Sequence, residues 1–217
     1  SGFVYGLSVA QQYIENSIFK HVLVIGSEVQ STAMDLSTRG RDTAVIFGDG
    51  AGAAVVSASM DDSGILSTHL HSDGAYAKEL WVEAPSSGIS PRLNQEILDE
   101  GKHFLKMNGR EVFRHAVTRF PEVIIESLDS NGFSSEDIDL LVPHQANIRI
   151  AQMIQKRLGL RDNQIYSNIH KYGNTTAASV PIALCEAVNE NKVKKGDLVV
   201  LAAFGSGFTW ASAILRW

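Results

Sequence analysis

The segment Ile138–Gly159 reads IDLLVPHQANIRIAQMIQKRLG and contains a complete strand-to-helix unit. Residues 138–142 form a short apolar run, which is typical of a buried strand. Residues 147–158 have the apolar spacing of a helix, and Gly159 is expected to end it. Buried strands that alternate with helices build layered α/β proteins, so this segment predicts that fold class.

The rest of the chain continues the alternation. We predict further helices at residues 3–17 and 177–189, buried strands at 21–26 and 43–47, and other strands at 53–58, 65–70, 198–204 and 209–215. Residues 108–129 are helical in pattern, and Pro121 is expected to divide them into two pieces. Residues 72–100 combine prolines, serines and mixed charge, which predicts a long surface excursion.

The composition is that of a globular protein, because 44% of the 217 residues are hydrophobic and 20% are charged. The only cysteine is Cys185, so neither an intrachain disulfide nor a site of several thiolates can form. A net charge of −5 argues against general nucleic-acid binding. No apolar run approaches the length of a membrane span, so we expect a soluble, cytoplasmic protein. The start at Ser1, inside a helical pattern, leads us to expect a fragment or a processed chain.

Two glycine-rich turns follow apolar runs. Residues 48–52 read GDGAG, but the small residues after them have a strand pattern, whereas a dinucleotide site requires a helix there. We therefore interpret these glycines as permitting a tight turn and a close backbone approach. The second turn, Gly205-Ser206-Gly207, could direct backbone N–H groups at an anion.

Two polar residues occupy positions where α/β proteins bind ligands. His144 directly follows a buried strand and Pro143, at the edge of the sheet where open α/β folds bind ligands. Asn174 lies in a loop of small residues that leads into a helix, where it could equally be a helix cap. His69 and His71 share one face of a strand, but no third ligand is evident, so no metal site is predicted.

Four segments closely resemble one family in the right order along the chain. They are FGDGAGAA at residues 47–54, VPHQANIRI at 142–150, GNTTAASVP at 173–181 and AFGSGFTW at 203–210. Together they resemble β-ketoacyl-acyl-carrier-protein synthase III, a condensing enzyme with a thiolase-like fold. The resemblance implies a layered α/β/α/β/α fold that is incomplete at the N-terminus. Residues 1–100 would end the N-terminal half, and residues 101–217 would form the C-terminal half.

Members of this family carry a Cys-His-Asn site, and their cysteine stands directly before the small-Gly-Phe start of the first helix. The nucleophile would therefore be the residue preceding Ser1, and the chain as given is expected to be inactive alone. Cys185 is not expected to replace it, because it lies within a helix and is predicted to be a buried apolar side chain.

The resemblance also implies the chemistry. An acyl group from acyl-CoA would be loaded onto the cysteine, and malonyl-acyl-carrier protein would lose carbon dioxide and attack it. The product would be the 3-oxoacyl-acyl-carrier protein that initiates fatty acid synthesis. His144 and Asn174 would donate hydrogen bonds to the enolate oxygen, and the backbone N–H of Ser206 would hold the second oxyanion. No cofactor or metal is implied.

Partner contacts follow from matching positions in the family. The carrier protein would meet Arg114, Gln145, Ala146, Asn147, Ile148 and Arg149. CoA and its tunnel would involve Arg41, Gly109, Phe113, Asn147, Ile150 and Phe204, with Arg39 competing for the role of Arg41. A homodimer is expected.

Two alternatives remain open from the sequence. The chain could be a noncatalytic ketosynthase-like subunit or binding module, or it could belong to a related polyketide-type condensing enzyme. The presence of both His144 and Asn174, which only decarboxylation requires, favours an enzyme.

Overall fold

The structure is a computed structural model that describes residues 1–217. The helices are α1 (Gly2–Glu15), α2 (Arg41–Ala44), α3 (Gln95–Asp99), α4 (Gly109–Ser130), α5 (Ile148–Leu158), α6 (Ile169–Tyr172) and α7 (Ser179–Asn189). The strands are β1 (His21–Glu28), β2 (Gly50–Ser57), β3 (Gly64–Ser72), β4 (Leu80–Val82), β5 (Leu105–Met107), β6 (Leu140–Pro143), β7 (Leu198–Gly205) and β8 (Thr209–Arg216). Short 3₁₀ turns occur at residues 31–33, 74–79, 135–137, 162–164 and 176–178.

A four-stranded mixed sheet forms the centre of the molecule, in the order β3-β8-β7-β6. Strands β6 and β7 are parallel, whereas β8 is antiparallel to both β7 and β3. Two antiparallel ribbons accompany this sheet, one of β1 with β2 and one of β4 with β5. Because β6 and β7 run in the same direction, the segments that follow them emerge at the same edge.

The elements stack in layers. Helices α1 and α7 lie between the β1–β2 ribbon and one face of the central sheet, and their apolar residues form one core with both. Helices α4 and α5 cover the opposite face and form the second core. This alternation confirms the predicted layered α/β fold.

The β1–β2 ribbon is covered on one face only. We expected residues 21–26 to be buried on both faces, but Leu23 and Ile25 point outward and are 59% and 60% exposed. Val55 of β2, the register partner of Leu23, is exposed on the same side. The prediction was wrong because an apolar run does not show how many neighbouring layers a strand has.

The two predicted halves share one sheet and one core. Strand β3 belongs to the first half, yet it pairs along its length with β8 of the second. Helix α1 packs against β7 and β8 in the same way. Elements from both sides of the expected boundary at residue 100 therefore contribute to the central sheet and to the core beside it.

Residues 43–47 do not form the predicted strand. The N–H groups of Thr43 and Ala44 bond to the carbonyl of Gly40, which closes the short helix α2. Val45 is 81% exposed, and only Phe47 makes an isolated bridge, to Asn174. Local turn formation thus overrides the apolar pattern of this run.

Helix α4 is continuous through Pro121, contrary to the predicted break. Proline removes the N–H that would bond to the carbonyl of Val117, four residues earlier. The guanidinium of Arg157 on α5 donates to that carbonyl instead, at 3.2 Å. The freed acceptor is therefore satisfied from a neighbouring helix.

The 72–100 excursion is structured in part. It includes a 3₁₀ turn, strand β4 and helix α3, and β4 pairs with β5. None of the helices in the molecule combines the length and apolar character needed to cross a membrane.

Candidate active site

A cavity of about 460 Å³ opens at the edge of the sheet where β6 and β7 end. His144 directly follows β6. Gly205 is the last residue of β7, and Ser206 comes directly after it. Asn174 and the first residues of α1 complete the polar part of the lining. The parallel pairing of β6 and β7 is therefore what brings these distant residues together, as the sequence predicted for His144.

His144 is held at both its backbone and its ring. Its backbone N–H donates to the carbonyl of Ala202 on β7, at 2.7 Å. Its ring nitrogen Nδ1 lies 2.5 Å from the hydroxyl of Ser179, the first residue of α7. Burial lowers the pKa of His144 to about 3, and the positive amino group of Ser1 acts in the same direction. The imidazole is therefore neutral at physiological pH and can present one N–H donor to the cavity.

Asn174 is fixed by its backbone and by one end of its amide. Its N–H donates to Ile46, and its carbonyl accepts from Gly48, both at 2.9 Å. The side-chain oxygen Oδ1 accepts the N–H of Thr176 at 2.9 Å. The Nδ2 group has no hydrogen bond within the protein, so it is the end of the amide that is free to donate to a ligand.

Two glycines permit this arrangement by close backbone approach. A Cβ at Gly48 would lie 2.1 Å from the carbonyl oxygen of Tyr172. Gly173 has a φ of +67°, and a Cβ there would meet the carbonyl oxygen of Ile46 at 2.9 Å. The close approach predicted for the 48–52 glycines is confirmed, and its purpose is to hold the Asn174 loop against residues 46–48.

The turn between β7 and β8 presents a free backbone donor. The N–H of Ser206 makes no hydrogen bond within the protein, whereas the Ser206 hydroxyl donates to the carbonyl of Leu80 at 2.6 Å. Reciprocal 2.7 Å backbone bonds between Phe208 and Asp73 hold the end of the turn. The turn is thus tied to the excursion that lines the cavity.

The start of helix α1 lies at the cavity as well. The carbonyl of Ser1 accepts the N–H of Tyr5, so Ser1 occupies the cap position of the helix. Burial lowers the pKa of its amino group to about 6, against the opposing influence of Glu28. Ser1 itself lines the cavity together with His144 and Asn174.

Comparison with known proteins shows the family to which the chain belongs. A family model described as 3-oxoacyl-[acyl-carrier-protein (ACP)] synthase III matches residues 1–74, and the model for the C terminal part of that synthase matches residues 128–217. The chain belongs to the 3-oxoacyl-acyl-carrier-protein synthase III family.

Individual members of the synthase III family match the whole chain. Beta-ketoacyl-[acyl-carrier-protein] synthase III of Caldanaerobacter subterraneus subsp. tengcongensis is 45% identical over 217 residues, and that of Clostridioides difficile is 46% identical. The chain covers 64% and 65% of those relatives' lengths. The synthase III crystal structure from Thermus thermophilus superposes with a TM-score of 0.90 at 41% identity, covering all of this chain and 65% of that one. The thiolase-like fold class expected from the resemblance is thereby confirmed.

The residues expected from the synthase III family to form the CoA tunnel come together with one exception. Five of these residues line the cavity, namely Gly109, Phe113, Asn147, Ile150 and Phe204. Arg41 lies outside it, with a side chain that is 74% exposed. Arg39, the alternative candidate for the CoA contact, already has partners within the protein. It forms a salt bridge with Asp35 and donates to the carbonyl of Asp99.

The expected carrier-protein residues divide into exposed and buried groups. Arg149 and Ile148 are exposed at the start of α5, and Arg114 is exposed on α4 beside its partner Glu111. Gln145 is only 4% exposed. Its side chain donates to the carbonyl of Pro143 and accepts from Ser167 and Asn168, so it is a structural residue rather than a surface contact. Ala146 and Asn147 line the cavity mouth.

Cys185 is exposed on α7, contrary to the predicted burial. It lies in a shallow groove with Pro181 and Trp217, and it does not line the cavity. The prediction failed because Cys185 lies on a side of α7 that neither the ribbon nor the central sheet covers. Its position outside the cavity also separates it from His144 and Asn174.

Sequence reasoning missed two residues at or near the site. Ser179 contacts the catalytic histidine candidate, and Glu28 accepts the N–H of Ala177 at 3.2 Å at the cavity wall. The same reasoning found no third partner for His69 and His71, whereas Glu126 on α4 contacts both rings, at 3.3 and 2.6 Å. None of these residues lies near its partner in sequence.

Proposed function

We propose that this chain carries the decarboxylation half of a condensing-enzyme site, within a protein that joins an acyl-CoA primer to malonyl-acyl-carrier protein. The observation that carries this proposal is the pairing of a neutral His144 imidazole and the unpartnered Nδ2 group of Asn174 on one cavity. The names of the relatives, which describe synthases that act with acyl-carrier protein, support the same class of reaction.

The two donors suit the decarboxylation step. When the malonyl carboxylate leaves as carbon dioxide, the electron pair of the broken C–C bond passes into the thioester, and its carbonyl oxygen becomes an enolate. Hydrogen bonds from His144 and Asn174 would stabilise this charge more than they stabilise the neutral thioester. One such donor is commonly worth ~3 kcal/mol of the barrier. A neutral histidine suits this step, because it has only to donate a hydrogen bond to the enolate oxygen and does not have to transfer a proton.

The nucleophile would be a cysteine directly before Ser1. At that position its thiolate would lie at the N-terminus of α1, which favours the charged form.

The condensation step then uses the free N–H of Ser206. The enolate carbon attacks the acyl thioester carbonyl and forms a tetrahedral oxyanion, to which the Ser206 N–H would donate. Collapse of this intermediate breaks the C–S bond, releases the cysteine as a thiolate and leaves a 3-oxoacyl group on the carrier protein. No cofactor is needed, because every bond change is supplied by the two substrates and the cysteine.

The substrates would bind at exposed, positively charged residues. Arg149 and Arg114, with the neighbouring Ile148, would receive the acidic carrier protein, and Arg41 would contact the CoA nucleotide. The product would initiate fatty acid synthesis in the cytoplasm, and the protein would act as a homodimer.

The test uses a cysteine-extended protein, defined as this chain joined at Ser1 to the upstream segment that ends in the proposed cysteine. With malonyl-carrier protein and an acyl-CoA primer, it should form 3-oxoacyl-carrier protein, measured by mass spectrometry of the carrier. Absence of product with every short, medium and branched primer would refute the enzyme assignment. Binding of the carrier protein without release of carbon dioxide would instead identify a noncatalytic binding module.

A further inference from the structure

Ser179 occupies a special position relative to the proposed catalytic pair. It is the first residue of α7 and is only 2% exposed. Its hydroxyl oxygen lies 2.5 Å from Nδ1 of His144, on the side of the ring away from the free Nε2. The same oxygen lies 3.3 Å from the backbone nitrogen of Gln145. No other hydrogen bond of this hydroxyl occurs in the structure.

The number of available protons determines the direction of these two hydrogen bonds. A peptide N–H can only donate, so Gln145 must donate to the Ser179 oxygen. The hydroxyl has one proton of its own, and Nδ1 of His144 is the only acceptor within reach. If Nδ1 carried the proton instead, the buried Ser179 hydroxyl would have no acceptor, which is costly in a protein interior. The satisfied arrangement therefore has Ser179 donating to an unprotonated Nδ1.

We propose that Ser179 is a positioning residue that fixes His144 as the tautomer with its proton on Nε2. This inference rests on the proposed function, because it concerns the donor that His144 would present to the enolate oxygen. Ser179 does not touch the substrate cavity in this role; it acts through the ring of His144.

The neutrality of the histidine makes such control necessary. A protonated imidazole donates from both nitrogens, whereas a neutral imidazole donates from one nitrogen only. Since burial keeps His144 neutral, the donor faces the cavity only in one of its two tautomers. Asn174 needs no comparable control by a hydroxyl, because the N–H of Thr176 already fixes its amide oxygen.

The direct test is ¹⁵N NMR of the 217-residue chain labelled at its histidine imidazoles, with a His144→Asn variant to identify the His144 signals. The wild-type ring should show a protonated Nε2 and an unprotonated, hydrogen-bonded Nδ1. Ser179→Ala should give a mixture of tautomers, and Ser179→Thr, which keeps the hydroxyl, should restore the wild-type pattern. A protonated Nδ1 in the wild type, or His144 signals unaffected by Ser179→Ala, would overturn the inference.

A matched control separates this effect from general core damage. Ser212 is also fully buried, and its hydroxyl donates to the carbonyl of Val123 on α4, away from His144. Ser212→Ala should remove a buried hydroxyl without altering the His144 tautomer. An equal change in both variants would show that core disturbance, and not the Ser179 hydroxyl, sets the tautomer.

Kinetics of the cysteine-extended protein provide the second measurement. Ser179→Ala should lower kcat for carbon dioxide release about tenfold, as expected for one lost buried hydrogen bond, with KM for the malonyl substrate nearly unchanged. A rise in KM with kcat unchanged would contradict a role in donor orientation. If the wild-type protein releases no carbon dioxide, the proposed function fails, whereas the NMR result still decides the tautomer.

Discussion

A single hydrogen bond decides which end of the Asn174 amide faces the cavity. The Thr176 N–H occupies Oδ1, so Nδ2 remains as the donor. Asn174→Asp should keep the bond from Thr176 and replace the donor with an acceptor. We expect carbon dioxide release by the cysteine-extended protein to fall about 100-fold to 1,000-fold, because one oxyanion donor is lost and a negative charge is added.

Thermal unfolding is the control for the Asn174 variant. The variant should still unfold cooperatively, since the shape of the side chain and its internal hydrogen bond are retained, although the buried carboxylate lowers the midpoint. Unaltered carbon dioxide release would show that the Asn174 amide does not contact the enolate.

At the residue scale, the sequence predicted His144 and Asn174 but not their supports. Both stand beside recognisable strand or helix boundaries, which is a local signal. Ser179 reaches His144 from 35 positions away, and no periodicity or motif shows that contact. Gln145 was misassigned for a related reason, since a polar residue beside a catalytic candidate can equally bond to the surrounding backbone.

At the scale of elements, the contact between the 46–48 segment and the Asn174 loop depends on Gly48. Gly48→Ala places a methyl group 2.1 Å from the Tyr172 carbonyl oxygen, so the two segments must separate. We expect carbon dioxide release by the cysteine-extended protein to fall more than tenfold, because Asn174 moves with its loop.

Gly74 offers a matched control for this change. A Cβ there meets nothing within 4 Å, so Gly74→Ala should leave activity near that of the wild type. Equal activity of the Gly48 and Gly74 variants would mean that the loop contact does not position Asn174.

The backbone hydrogen bond that α4 lacks at Pro121 gives a prediction about stability. Arg157→Ala removes the donor to the Val117 carbonyl and should lower the free energy of unfolding by about 1 kcal/mol. In a Pro121→Ala background the helix regains its own N–H donor, so the same change should cost less. Urea unfolding of the two single variants and the double variant measures this coupling, and strictly additive effects would rule out the compensation.

Element boundaries were predicted best where a cap was present. Gly159 ends α5 in the left-handed conformation, as the sequence indicated, and the structure shows that Asn147 caps its start. The predicted strand at 43–47 was wrong because a local turn forms there, and the predicted break at Pro121 was wrong because its compensating partner lies elsewhere in the chain. At 43–47, the carbonyl of Gly40 accepts backbone N–H groups and closes helix α2. At Pro121, the side chain of Arg157 donates to the carbonyl that the proline leaves without a partner.

At the scale of the whole molecule, the chain carries a net charge of −5, which repels an acidic partner. Binding of such a partner therefore requires a local positive surface. Arg149 is exposed at the N-terminal end of α5, next to the cavity mouth at Asn147. Arg149→Glu should weaken binding of the carrier protein to the cysteine-extended protein at least tenfold, measured as KM for malonyl-carrier protein. Loading of the acyl-CoA primer should remain nearly unchanged.

Arg161 is the matched control for this charge reversal, because it is exposed beyond the opposite end of α5. Arg161→Glu changes the net charge equally, and it should have a much smaller effect. Similar effects of the two variants would indicate a response to net charge alone, without a docking site at Arg149.

The layered architecture was predictable because alternating strands and helices, together with the family motifs, specify it. The exposure of Leu23 and Ile25 was not predictable, since their apolar pattern is the same whether one layer or two cover the ribbon. The cavity itself follows from the parallel pairing of β6 and β7, a long-range feature that the sequence suggests only through the position of His144.

The central claim is that His144 acts in decarboxylation and not in activation of the nucleophile. It is tested most directly by measuring both half-reactions in the His144→Ala variant of the cysteine-extended protein. Release of carbon dioxide from malonyl-carrier protein should be abolished, while acylation of the cysteine by the acyl-CoA primer should proceed nearly as in the wild type. Loss of acylation with retained release of carbon dioxide would contradict the account and identify His144 as a general base.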